Sequence, residues 1–77
     1  MSRPLHDIAA DIKLSWPKPY FGAVPYLQAM ACLKSVNDRF GYDDARMIVN
    51  YFLANARTWK GEDARRVKAE LLGMLKA

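Results

Sequence analysis

Cysteine is nearly absent from this chain: Cys32 stands alone among 77 residues, so no internal disulfide forms and no second thiolate exists to build a metal site. A lone thiol fits a reducing compartment best, and we expect the protein to be cytoplasmic. Histidine is as scarce. His6 is the only imidazole, which leaves no Ser/His/Asp set and gives Cys32 no oriented base. No run of about 18 apolar residues occurs, so no membrane-spanning helix is expected. The N-terminal stretch MSRPLHDIAADIKLSW has a basic residue but no continuous apolar segment of a secretory signal. Glycine-rich phosphate loops and nucleotide fingerprints are missing, as are internal repeats, strand-like alternation and a heptad run of coiled-coil length. From these absences we expect no enzyme, no cofactor and no resident metal.

What is present reads as one domain, residues 1–77. At 52% hydrophobic and 26% charged, the composition is that of an ordinary soluble globular chain, too short for both a core and an elaborate cleft. Small chains without disulfides or metal lean on regular helix packing or on self-association, so a homodimer stays open. The net charge of +4 permits an anionic partner, but it is spread evenly, which is not the distribution of a dedicated nucleic-acid arm.

The stretch Asp43–Trp59 is the most strongly helical. At about 100° per residue it gathers Ala45, Ile48, Val49, Phe52, Leu53, Ala56 and Trp59 on one face. Met47, Tyr51 and Ala54 fall nearly opposite, leaving Arg46, Asn50 and Arg57 as a narrow polar strip. A helix apolar on most of its circumference needs cover from more than one side. We therefore expect an all-α fold, a compact bundle of four short helices around this central one. The helices are expected at about 4–15, 24–36, 43–59 and 62–76. Pro4 suits the first turn, with Ser2 as cap, and the first helix stops where Trp16 precedes Pro17. In the second, Tyr26, Ala29, Met30, Leu33 and Val36 share a face with Cys32 on its flank; Asp43 or Asp44 caps the third. The fourth turns Ala64, Val67, Leu71, Leu72, Met74 and Leu75 inward, with Lys68 at the border and a Glu62–Arg66 pair outside. The connection at 16–25, dense in proline, is expected to be extended or turn-rich.

Candidate sites are few. His6, Asp7 and Asp11 would suit a divalent ion in type, but they spread around the helix and lack a fourth ligand, so a solvated face is the preferred reading. Cys32 is expected to be a semi-buried structural thiol. The run NDRFGYDD resembles a calcium loop only superficially: with Gly41 at the sixth position, Val36 takes the first, where a carboxylate is required. Arg57, Lys60, Arg65, Arg66 and Lys68 are candidates for phosphate contact, against an ordinary solvated helix end. Trp16, Tyr20, Phe21 and Tyr26 alternate with prolines. Rigid aromatic surface of this kind is typical of protein interfaces, and equally serves to close the end of a small bundle.

The phrases IAADI, PYFGAVPYLQAM, GYDDAR and NYFLANARTWKGEDARRVKAEL resemble small proteins of unassigned function encoded by phages and prophages of actinobacteria, over about Ile8 to Leu75. The resemblance carries no functional residues across. It implies a context, the cytoplasm of a bacterial host, in which small phage proteins often bind a host protein and some regulate transcription or defence. The expected function is a non-enzymatic protein-interaction module, a phage-encoded effector or inhibitor of a host or phage protein, using Trp16, Tyr20, Phe21 and Tyr26. A small DNA-binding regulator and a structural homo-oligomer are the alternatives.

Overall fold

Four helices account for most of the chain in the computed structural model: α1 (Leu5–Ser15), α2 (Val24–Met30), α3 (Ala45–Ala54) and α4 (Glu62–Lys76). Between α2 and α3, β1 (Arg39–Phe40) and β2 (Asp43–Asp44) pair antiparallel, Arg39 with Asp44 and Phe40 with Asp43. Gly41 turns the chain there at φ +65°. The structure describes residues 3–41 and 43–76, with Phe40 described by its backbone alone. Ser2, expected as the α1 cap, lies outside those residues.

The start of α1 is satisfied by another part of the chain. Pro4 occupies the N-cap position and offers no side-chain bond. Instead the Leu5 and His6 amides donate to the Lys34 and Leu33 carbonyls at 2.7 and 2.8 Å, which removes two of the orphan donors every helix start carries. At the other end Trp16 leaves the helical region at φ −131°, ψ 74°, as a residue before proline must.

Helix α2 is shorter than expected. Its residues 31–36 were expected to continue the helix, but the chain turns at Ala31, where the Cys32 and Leu33 amides reach back only three residues. Competing bonds explain the early stop: the Leu33 and Lys34 carbonyls serve α1, and the Asp38 carboxylate accepts from the Lys34 and Ser35 amides at 2.9 and 3.1 Å. Leu33 and Val36 still reach the core.

Helix α3 also ends early, at Ala54 and not near Trp59. Asp44 caps its start, accepting from the Met47 amide at 2.9 Å, in agreement with the sequence. At its end the Asn55 side-chain amide donates to the Tyr51 carbonyl at 2.8 Å and closes the last turn. Ala56 and Trp59 are nevertheless buried, because the following turn folds them back under the bundle.

Helix α2 packs against α3, α1 against both α2 and α4, and α3 against α4, so the four form a circuit. The molecule measures 29 × 26 × 18 Å; its short dimension is about two helix diameters. Its radius of gyration, 11.1 Å, matches the roughly 11.5 Å of a compact chain of this length. Phe52, Leu5, Ile8, Ile12, Met30, Leu71, Val49 and Val67 are the largest fully buried side chains, and every helix contributes. Leu27, which the sequence pattern passed over, is also buried, whereas Leu72, expected inward on α4, is half in water. Among the described residues no helix is long and apolar enough to cross a membrane.

Candidate interaction surface

The proline-rich connection sends its aromatic rings in opposite directions. Trp16 packs inward: its ring stacks on Trp59 with centroids 5.4 Å apart and planes within 8°, and meets Phe52 edge-on at 6.4 Å. Tyr26 is half buried and tilts against Tyr51 at 5.4 Å. Tyr20 and Phe21 face water. Phe21 is 79% exposed, and its only ring contact among the described residues is Tyr20, 4.7 Å away.

These outward rings join an open face of α3. Met47, Tyr51 and Ala54, spaced by four and three residues, form a stripe along the helix, and all three are exposed. The cover expected for this second face is only partial: α2 reaches it through Tyr26, and Met47, Tyr51 and Ala54 stay exposed. Tyr26 borders the stripe beside Tyr51. Tyr20 and Ala54 line one depression of about 220 Å³ together with Asn55, Arg57 and Thr58. Gly22 permits this closure: a Cβ there would lie 2.6 Å from the Tyr20 ring and 2.8 Å from Asn55 Oδ1. The result is a band of aromatic and apolar side chains running from Phe21 through Tyr20 and Ala54 to Tyr51, Tyr26 and Met47.

The basic run does not form one surface. Arg57 belongs to the Tyr20 depression. Arg66 is engaged by Asp11 at 3.2 Å and by Asp63 at 3.4 Å; the Glu62–Arg66 pair expected from spacing gives way to these two partners. Lys68 donates to the Trp59 carbonyl at 2.6 Å, its ammonium 5.9 Å from the centre of the indole ring. Burial, and then the neighbouring Lys60 charge, push the Lys68 pKa down. Lys60 and Arg65 line a second depression with Lys68.

Asp11 is drawn into an ion network instead of a metal site. Arg66 and Arg3 bond it, Ser15 Oγ donates to it at 3.2 Å, and Arg3 also forks onto Glu70 at 2.8 and 3.1 Å. These bonds tie α1 to α4 and hold both carboxyls below the usual carboxylate range, through Arg66 first for Asp11 and through Arg3 for Glu70. His6 Nδ1 lies 3.2 Å from Asp7. Among the described residues no three His, Cys, Asp or Glu side chains are grouped as a metal ion requires. Cys32, expected to be semi-buried, is exposed, its sulfur 3.8 Å from the Gln28 carbonyl, because the chain turns out of the helix there.

Sequence reasoning singled out the connection and, separately, the second face of α3. Nothing in the spacing joined them, because the junction depends on Asn55 and Gly22, which carry no aromatic signal. Compared with known protein families, curated proteins and solved structures, the chain matches none.

Proposed function

We propose that the protein is a non-enzymatic interaction module that binds a partner protein through the band of Phe21, Tyr20, Tyr26, Tyr51 and Met47. One observation carries the reading: Phe21, a large apolar ring on a proline-braced connection, stands 79% exposed beside Tyr20. Burying such a ring gains roughly 2–3 kcal/mol. Pro17, Pro19 and Pro25 restrict the flanking backbone, so little further order is lost on docking. Single exposed apolar residues such as Leu14 on α1 and Leu72 on α4 are ordinary; a contiguous band with aromatic anchors is the composition of an interface. The resemblance to small phage and prophage proteins supports a partner in the bacterial host cytoplasm, with this protein as effector or inhibitor. A DNA-reading helix presents a free basic face. Here Arg66 is tied to Asp11 and Asp63 and Arg57 lies apart at the Tyr20 depression, so the basic run is not one continuous face, which favours a protein partner.

The test is affinity capture from the bacterium that carries the gene, using the wild-type chain, the Tyr20→Ala/Phe21→Ala double variant and the Arg65→Gln variant. The expected result is one protein recovered by the wild type and by Arg65→Gln and lost with the double variant. Recovery of the same proteins by all three, or of none by the wild type, rejects the reading.

A further inference from the structure

Lys60, Arg65 and Lys68 converge on one concavity. It is an open depression of about 290 Å³ whose wall is completed by Trp59, Gly61 and Ala64, with no carboxylate among the lining residues. Such a volume lies just below the usual range of small-ligand pockets. Two arginines of the described residues are taken up by acids: Arg3 by Asp11 and Glu70, and Arg66 by Asp11 and Asp63. Lys60 and Arg65 have no such partner among the described residues.

The local folding explains how the three cations come together. Arg65 and Lys68 are separated by three residues on α4 and share a face. Lys60 joins them because Gly61, at φ +111°, turns the chain into the helix. Lys68 is held in place by the Trp59 carbonyl, a single acceptor for an ammonium with three donors. The nearest acids in sequence, Glu62 and Asp63, line the adjoining depression with Arg65, Arg66 and Ala69, and Asp63 bonds Arg66. Arg65 thus stands on the wall between the two depressions. Burial first, and then the Lys60 charge, disfavour the charge on Lys68, and a bound anion offsets both.

We infer that this concavity binds the phosphate dianion of a small phosphomonoester, with Arg65 and Lys60 contacting the phosphoryl oxygens and Lys68 supplying a third charge from the wall. A tetrahedral dianion suits the set better than a monoanion, since it offers oxygens to several donors at once and the planar Arg65 fork accommodates two of them. The site is separate in its residues from the aromatic band, so either can fail without the other.

The experiment is a titration of the wild-type chain with inorganic phosphate at constant ionic strength, followed by ¹H–¹⁵N correlation spectra, with a short duplex DNA as a second probe. Saturable shifts are expected at the Gly61 amide and the Trp59 indole N–H. Lys60→Gln and Arg65→Gln each weaken binding by about tenfold or more, the loss of a charge-assisted hydrogen bond. Arg66→Gln, outside the concavity, leaves it unchanged. Shifts that do not saturate, that spread over all exposed cations, or that persist in the Lys60→Gln/Arg65→Gln double variant overturn the inference. So does retention of DNA without saturable phosphate binding, which marks a surface tracking phosphodiester backbone.

Discussion

Trp16 and Phe21 belong to one short connection and have opposite fates. Trp16 has Trp59 and Phe52 to lie against, and both are fixed by α3 and the turn after it. Among the described residues Phe21 has only the Tyr20 ring beside it. Stability measurements should separate them: Trp16→Ala is expected to cost about 2–3 kcal/mol in denaturant unfolding, below the full range for a buried tryptophan because the ring is only half buried. Phe21→Ala is expected to change stability by less than about 0.5 kcal/mol. Equal costs would mean that Phe21 is core and that the aromatic band has lost its anchor. The composition of the connection gave no means of telling these rings apart, since each is an aromatic near a proline. The direction of each depends on which partner the backbone brings within about 5 Å.

At the scale of elements, helix starts were more legible than helix ends. The starts of α2 and α4 and the Asp44 cap of α3 stand where expected. Asp44→Ala is expected to lower stability by about 1 kcal/mol, read from the shift in the unfolding midpoint, with amide exchange rising first at Met47. No change would mean that the β1–β2 pairing alone holds the start of α3. The ends of α1 and α4 also stand where expected, but those of α2 and α3 were misjudged because apolar periodicity continues through non-helical turns. Leu33, Val36, Ala56 and Trp59 keep the spacing of a helix and are buried, yet they reach the core from turns. The carbonyls and amides that would have extended α2 are taken by α1 and Asp38.

The whole molecule is closed by ion pairs as well as by its core. Asp11 and Glu70 join Arg3 and Arg66 across α1 and α4, and Asp38 organises the turn before β1. All three carboxyls are held below their ordinary range in the folded state, Asp38 by the Lys34 and Ser35 amides. Their unfolded values are therefore higher, so their stabilisation is present above about pH 4 and is lost as pH falls through the lowered folded values. The melting temperature is expected to be nearly flat from pH 7 to about pH 5 and to drop below about pH 4. Glu70→Gln is expected to lower it by about 4 °C at pH 7, on the order of 1 kcal/mol for a screened pair, and to shrink the acid drop. An acid drop unchanged in this variant would place the pH sensitivity elsewhere.

By itself the sequence determined the fold class, the four helices, the Asp44 cap of α3 and nearly all of the buried set, because periodicity, proline and capping residues act within a turn or two of chain. The tertiary structure alone decided where α2 and α3 end, that Arg66 serves Asp11 and not Glu62, and that Cys32 is exposed. It also decided the two surfaces of interest. The open stripe of α3 depends on which neighbours fail to cover Tyr51. The basic concavity depends on a glycine turn swinging Lys60 beside Arg65 and Lys68. Both are meetings of residues from different elements, and such meetings are set by packing in three dimensions, which no spacing along the chain encodes.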